Sequence, residues 1–378
     1  MTDIVVAGFA RSPFHFSRKG GLIDVRPDDL AAQVVSELLK RTGVAHNLIE
    51  DLVVGCSYPE AEQGLNIARI IGFLAGFGDV VPGATINRFC GSSMSSVHYA
   101  AGQIALGLGD AFICAGVESM TRVPQGGFNR SPNPDLLRDY PAAYAPMGLT
   151  AENVAREYGV SREAQEALAV VSHAKAAAAR EQGRLADEIV PIKTPAGLVS
   201  VDGCIRPGTN AAALAALKPA FAEDGSVTAG TSSPLTDGAS AVLLCSADFA
   251  RQHGLRPLAK IRTAAVASCR PDLMGIGPIP ATRKALERAG LSVKDLDVIE
   301  INEAFASQAI ACGRELGFDE ERVNVDGGAL AIGHPLGATG ARLVGKAASL
   351  LSRGGGQFAL ATQCIGGGQG IATILEAV

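Results

Sequence analysis

Cys90 stands in Asn87-Arg88-Phe89-Cys90-Gly91-Ser92-Ser93, after an apolar strand pattern over Gly83–Ile86 and at the head of a small-residue helical stretch reaching Gly107. A thiol at a strand-to-helix turn meets the positive end of the helix dipole, which is expected to lower its pKa and expose it as a nucleophile. A buried structural cysteine would give the same local pattern. His334 lies in Gly327-Gly328-Ala329-Leu330-Ala331-Ile332-Gly333-His334-Pro335-Leu336-Gly337-Ala338-Thr339-Gly340. The glycines let other backbones approach and Pro335 pins the chain, so the imidazole is expected to be held rigidly where segments converge. Cys364 precedes Ile365-Gly366-Gly367-Gly368 after the apolar run Gln357–Thr362. On a strand-end loop its neighbouring N–H groups could bind an anion, although a plain hairpin between buried strands would read alike. Asn302, in Asn302-Glu303-Ala304-Phe305, ends the run Val298–Ile301, where an amide could position a water.

These residues need a scaffold, and the chain supplies its pattern. Short apolar runs at Ile4–Gly8, Leu52–Cys56, Ala111–Ala115, Ala241–Cys245, Val298–Ile301, Gln357–Thr362 and Gly370–Leu375 alternate with helical patterns. That alternation predicts a layered α/β fold with strands buried on both faces. Leu30–Cys56 echoes Ile279–Asn302: each is an amphipathic helix, a Gly (Gly43, Gly290), then an Asp (Asp51, Asp297) and a strand, in registers that agree within one residue. Two similar halves are implied, 1–120 with 225–250 and 255–378. The segment 121–224 is Pro-rich at first and then helical, with Ala164, Leu168, Val171, Ala174 and Ala178 at helical spacing. It reads as an inserted, mostly helical loop domain of the kind that covers a site.

Composition narrows the function classes. Hydrophobic residues make up 47% and charged residues 19%, too apolar for disorder and suited to a deep core plus a subunit interface. The net charge of −5 carries no dense Lys/Arg block, so no nucleic-acid partner is expected. No apolar run approaches the ~18 residues needed to cross a membrane. The first dozen or so residues, about Met1–Ser12, have no basic stretch or cleavage pattern. A cytoplasmic protein with reduced thiols is expected. The 8 cysteines form no C-x-x-C pair, so neither a metal site nor a disulfide framework is indicated. Gly340-Ala341-Arg342-Leu343-Val344-Gly345-Lys346-Ala347 nearly spells a phosphate loop, but Ala347 stands where a hydroxyl must hold Mg²⁺. No dinucleotide fingerprint is present either.

The four chemical blocks, in this order and with the duplicated pattern, resemble the thiolase family. The match extends through Gly116-Val117-Glu118-Ser119-Met120, Met147-Gly148-Leu149-Thr150, Arg206-Pro207-Gly208-Thr209, Leu217-Lys218-Pro219-Ala220-Phe221 and Thr228-Ala229-Gly230-Thr231-Ser232-Ser233. The resemblance implies a duplicated five-layer α-β-α-β-α architecture. It also implies thiolytic cleavage of a 3-ketoacyl-CoA by CoA, as in fatty acid β-oxidation, or the reverse Claisen condensation. Cys90 would then be the nucleophile activated by His334, and Cys364 the acid/base at the α-carbon. His334 with a water on Asn302 would serve one oxyanion, and the N–H groups of Cys90 and Gly366 the other. Arg206, Ser233, Met147 and Phe305 would hold CoA and the acyl group. CoA is a substrate here, and no cofactor or metal is required. A homodimer or homotetramer is implied.

Two departures stand out. Pro146 precedes Met147 where short-chain members carry His, which favours the broader 3-ketoacyl-CoA branch over a short-chain acetyl-CoA acetyltransferase. Asp326 places a carboxylate near the Gly327-Gly328 turn, where it could alter the setting of His334. An acyl-carrier-linked condensing enzyme is disfavoured by Cys364, and a non-catalytic acyl-CoA or lipid carrier by the presence of all four chemical residues.

Overall fold

The computed structural model describes residues 2–378. The apolar runs form strands β1 (Ile4–Arg11), β2 (His15–Phe16), β3 (Asp51–Gly55), β4 (Gly83–Ile86), β5 (Ala111–Ser119), β6 (Ile192–Thr194), β7 (Gly197–Val199), β8 (Thr236–Ser246), β9 (Ala259–Ser268), β10 (Val298–Ile301), β11 (Phe358–Ile365) and β12 (Gln369–Glu376). Ten of them join one sheet, ordered β10-β11-β12-β9-β1-β8-β5-β3-β4, with β2 added beside β8. β6 and β7 pair separately.

The sequence echo has a counterpart in this order. Reading outward from β1, the N-terminal set runs first strand, then fifth (β8), fourth (β5), second (β3) and third (β4). From β9 the C-terminal set runs first, fifth (β12), fourth (β11) and second (β10), and the third is reduced to a parallel bridge between Ile299 and Val323. In both sets the fifth strand is antiparallel to its neighbours. The sets meet through Val5 opposite Lys260 and Val6 opposite Ala259. The helices Pro27–Thr42 and Pro278–Ala289 end alike, on left-handed Gly43 (φ 71°) and Gly290 (φ 69°), a conformation that costs glycine nothing.

Side chains alternate across the strands and separate the layers. Val5, Leu52, Val54, Ile113 and Leu243 pack outward against the helices Pro27–Thr42 and Ile67–Leu74. Val6, Phe112, Val242, Ala361 and Ile371 face inward onto Ser92–Ala105 and Leu336–Gly354, and Leu360, Ala372 and Ile374 face the helix Pro278–Ala289. The helix Ala306–Leu316 joins that outer layer through Ile279, Ile301 and Cys312. The result is the expected five-layer α-β-α-β-α fold. The central helix Leu336–Gly354 is buried on nearly every side, as a helix packed against both the N-terminal and the C-terminal strand sets must be. Gly340 permits the central pair to touch: a Cβ there would lie 2.2 Å from the backbone nitrogen of Met94.

The regular structure of the inserted segment between β5 and β8 is mostly helical, with the helices Pro134–Asp139, Met147–Glu157, Arg162–Glu181 and Ala211–Ala215 plus the β6–β7 hairpin, joined by long loops. The buried face of Arg162–Glu181 is not the one the apolar spacing indicates. Val171 is exposed, and the inward residues are Gln165, Glu166, Ala169, Ser172, His173 and Ala176. These polar groups are buried with partners: Ser172 donates to Glu303 (2.7 Å) and Gln165 to Ser226 (3.0 Å). β9 carries no strand signal in the sequence, because an Ala-rich run of half-buried residues has neither the apolar density nor the alternation of a strand. Among the described residues no helix is long and apolar enough to cross a membrane.

Candidate active site

Cys90 is delivered by the turn between β4 and the helix Ser92–Ala105. Phe89, just before it, adopts a left-handed φ of 44°, a conformation that costs a bulky residue about 1–2 kcal/mol. A web of bonds enforces it. The Phe89 N–H donates to Asn87 Oδ1 (2.9 Å), and Ser92 Oγ donates to the Phe89 carbonyl (2.6 Å). Arg88 Nε donates to Ser95 Oγ (2.9 Å), and the Gln363 amide on β11 donates to the Cys90 carbonyl. Burial pushes the Cys90 thiol up to about 11, opposed by the N–H groups of Gly366 and of Cys90 itself, which point at its sulfur. The expectation of a lowered pKa is therefore corrected: in the folded chain desolvation outweighs the helix terminus, and Cys90 rests as a thiol that needs a base.

His334 links the short helix Ala329–Ile332 to the central helix Leu336–Gly354. Its N–H donates to Thr236 Oγ1 (3.1 Å), and its Nδ1 lies 2.7 Å from Thr339 Oγ1, one turn into the central helix. Asn302 at the end of β10 brings its amide nitrogen to 3.3 Å from Nε2. Burial, reinforced by the Arg342 cation, lowers His334 to about 3, so the ring is neutral in the resting site. Asn302 is fully buried, and its Oδ1 has no protein partner. A lone buried acceptor beside an imidazole is suited to a polar atom of a water or substrate.

Cys364 lies within β11, opposite Gly370, and not on the loop expected from sequence, because the strand runs on to Ile365. Burial raises its thiol well above the ordinary value, and Cys90 adds to the effect, which places the two sulfurs in one electrostatic neighbourhood. Cys364 packs with Ala151, Val227, Met274, Ala304, Phe305 and Met147 in an apolar wall. Gly366 opens the hairpin turn, and a Cβ there would meet the Met147 sulfur at 3.5 Å. Phe305 meets Phe221 edge to face at 5.9 Å. The Ser233 N–H donates to the Ala304 carbonyl (3.0 Å).

Cys90, Gly366 and Cys364 thus converge, as do His334 and Asn302, with Met147, Phe305 and Ser233 around the Cys364 wall. Arg206 is not drawn in. It is exposed, 5.8 Å from the Phe16 ring, and its N–H donates to His173 Nδ1 (3.1 Å). Asp326 does not set His334 either: its carboxylate binds Arg184 (2.5 Å), Lys346 (2.8 Å) and Arg353 (2.7 Å). Pro146 precedes the helix Met147–Glu157 and accepts from the Thr150 N–H (3.1 Å).

Sequence reasoning missed three groups that hold the site. Thr339 and Thr236 grip His334. Glu303 is buried and accepts from Ser172 Oγ (2.7 Å), Asn324 Nδ2 (2.7 Å) and the Leu330 N–H (3.2 Å), joining the Asn302 strand end to the segment that leads to His334. Of the three, only Thr339 carries a signal in the sequence: it stands five residues after His334, one turn into a helical stretch of small and apolar residues.

Residues 4–248 match the family model of the thiolase N-terminal domain, and residues 255–377 that of the thiolase C-terminal domain. The chain is 49% identical to a 3-ketoacyl-CoA thiolase of Bacillus subtilis, covering 100% of both chains. It is 46% identical to a 3-ketoacyl-CoA thiolase of Acinetobacter baumannii, covering 100% of this chain and 98% of that one. The crystal structure of human mitochondrial 3-ketoacyl-CoA thiolase matches with a TM-score of 0.92 at 36% identity, covering 100% of this chain and 99% of that one. With the Cys90 turn, a neutral buried imidazole and a second thiol on the scaffold that these matches share, the chain belongs to the thiolase family.

Proposed function

We propose that this chain cleaves 3-ketoacyl-CoA with CoA, giving acetyl-CoA and a shortened acyl-CoA, and runs the reverse Claisen condensation through an acyl-Cys90 intermediate. The observation that carries this reading is the approach of the Gly366 N–H to the Cys90 sulfur, which brings the N-terminal nucleophile to the turn that follows Cys364 at the end of β11. His334 accepts the Cys90 proton, and the sulfur attacks the keto carbon. The N–H groups of Cys90 and Gly366 hold the tetrahedral oxyanion. The C–C bond then breaks. The departing acetyl-CoA enolate, its oxygen facing His334 and a water on Asn302, takes its proton from Cys364. CoA returns a proton to Cys364 as its sulfur attacks the thioester, and Cys90 leaves with the proton stored on His334.

The halves 1–120 with 225–250 and 255–378 supply these groups, and 121–224 covers the site and holds CoA. Arg206, exposed on that segment, suits the nucleotide end. Ser233 suits the pantetheine, and Met147 and Phe305 the acyl site. Pro146 favours the broad 3-ketoacyl branch. CoA acts as substrate, with no resident cofactor. A homodimer or homotetramer is supported by the free edge of β4 and by exposed Leu65, Phe73 and Val80 on the segments leading to it. A 38.7 kDa particle by light scattering would overturn the oligomer. All eight cysteines are free, in keeping with a reducing, cytoplasmic setting.

The test monitors the enolate absorbance of acetoacetyl-CoA and longer 3-ketoacyl-CoAs with Mg²⁺, for the wild type, Cys90→Ala and Cys364→Ala. Loss of absorbance that requires CoA and both cysteines supports the reading, and the chain-length profile separates the broad branch from the short-chain one. No loss with any substrate overturns it.

A further inference from the structure

Glu118, near the end of β5, is completely buried. Its Oε2 accepts from the N–H groups of Ser57 (2.9 Å) and Gly337 (2.9 Å), and its Oε1 from Gln63 Nε2 (2.8 Å) and the Tyr58 N–H (3.3 Å). Among the described residues no cation pairs with it. A buried carboxylate without a counter-charge is costly unless every lone pair is engaged, and here three backbone N–H groups, the Gln63 amide and the Cys56 thiol, 3.9 Å from Oε1 and kept neutral by burial, engage it.

The identity of those donors matters. Gly337 lies three residues beyond His334, in the first turn of a central helix. Ser57 in turn accepts, through its carbonyl, from Asn87 Nδ2 (3.1 Å), and Asn87 Oδ1 accepts from the N–H of Phe89, the residue before Cys90. A continuous path of hydrogen bonds therefore runs from the His334 loop in the C-terminal half, through Glu118, to the Cys90 turn in the N-terminal half. Burial raises Glu118 above the ordinary carboxylate range, opposed by the N–H groups of Ser57 and Gly337 and by Gln63, and in its ionised form its charge adds to the burial that keeps the Cys90 thiol protonated. Tyr58, Cys364 and His334 are neutral at working pH, and Arg88, bridged to Cys90, turns its guanidinium to Ser95 and Gln369.

We propose that Glu118 is a positioning residue that sets the reach between His334 and Cys90 across the two halves. This rests on the proposed thiolysis for its turnover arm only. A glutamine at this position keeps the shape, but its single carbonyl oxygen cannot serve all the donors, and its NH₂ must face an N–H of Ser57, Tyr58 or Gly337.

The experiment uses the full chain and two variants, Glu118→Gln and Asn87→Ala. It reads kcat and KM with acetoacetyl-CoA and CoA, and separately the pH dependence of Cys90 alkylation by iodoacetamide with no substrate present. For Glu118→Gln we expect kcat to fall roughly tenfold to hundredfold, with both KM values within about twofold, since the path touches no residue assigned to CoA. The alkylation midpoint is expected to move to lower pH. Asn87→Ala, at an exposed position, should lower kcat and leave the midpoint where it was, because the charge is intact. An unchanged kcat in Glu118→Gln, or a lowered kcat with an unmoved or raised midpoint, overturns the proposal. If Glu118→Gln does not fold, an unchanged kcat in Asn87→Ala overturns it. A wild type that fails to cleave any 3-ketoacyl-CoA counts against the thiolysis reading, and the substrate-free alkylation profile still decides on Glu118.

Discussion

Cys90 and His334 occupy equivalent positions in the two halves: each stands two residues ahead of the first residue of a central helix, Ser92 in one case and Leu336 in the other. The two helices are joined directly near these ends, by the Ala341 N–H in the second turn of one donating to Ser93 Oγ in the first turn of the other at 2.8 Å. Duplication thus brings two helix N-termini, with their partial positive charge, to one place where negative charge would develop during acyl transfer. It also places Cys90 and His334 in different halves, so their separation depends on how the halves pack.

The protonation states call for a covalent intermediate. Incubated with acetoacetyl-CoA in the absence of CoA, the wild type should gain an acyl group on Cys90 by intact-mass and peptide mass spectrometry. Cys90→Ala should gain none. Cys364→Ala should retain the thioester and lose about 10²–10⁴-fold in kcat.

The free thiol should be sluggish. Burial holds Cys90 up to about 11 and His334 down to about 3, so neither group changes charge between those limits in the resting protein. The rate of Cys90 alkylation by iodoacetamide is expected to climb continuously from pH 7 towards about 11. A plateau reached near pH 7 would show a preformed thiolate and contradict this state.

Thr339→Val removes the hydroxyl 2.7 Å from His334 Nδ1 while keeping the shape of the side chain. The ring loses the partner that fixes its orientation, and kcat should fall about tenfold to hundredfold with KM nearly unchanged. Steady-state kinetics of the folded variant, checked by circular dichroism, would decide.

Lys346 bridges Glu188 (2.9 Å) and Asp326 (2.8 Å), all three buried. Burial alone would raise both carboxylates, but Lys346 and the neighbouring arginines outweigh it and hold them below the ordinary range. A depressed folded-state pKa contributes stability above the unfolded value of about 4 and loses it as pH falls through the folded one. Lys346→Met should destabilise the protein by about 3–5 kcal/mol at pH 7, because two carboxylates lose a buried partner. Chemical denaturation should also show a flatter loss of stability between about pH 5 and 3 than in the wild type.

Gly340 and Gly313 make a paired test of packing. A Cβ at Gly340 would come within 2.2 Å of the Met94 nitrogen, whereas one at Gly313, inside the helix Ala306–Leu316, meets nothing within 4 Å. Gly340→Ala must push the central helices apart and should cost about 1–3 kcal/mol or more. Gly313→Ala should stabilise by about 0.5–1 kcal/mol, the helix propensity gained. Thermal melts of both variants would check the opposite signs.

Local sequence settled whatever depends on local pattern. The apolar runs and their spacing laid down the α/β alternation and the repeat of helix, glycine, aspartate and strand in the two halves. The short motifs around Cys90, Asn302, His334 and Cys364 marked the chemical residues, because a turn before a helix or after a strand end is written in neighbouring glycines, prolines and apolar runs. The surroundings of each of these groups were decided by tertiary structure. The helix terminus alone predicts a lowered pKa for Cys90, yet the folded chain raises it, since desolvation is set by segments hundreds of residues away. Thr236, on β8, reached His334 only when the halves met. The helix Arg162–Glu181 buries Gln165, Ser172 and His173 and exposes Val171, because distant polar partners, Glu303 among them, make that polar face the stable one to bury. Asp326 near the Gly327 turn found three cations and no imidazole. Periodicity reports how a segment could fold, while burial and long-range hydrogen bonding determine the charge state and reach of its side chains.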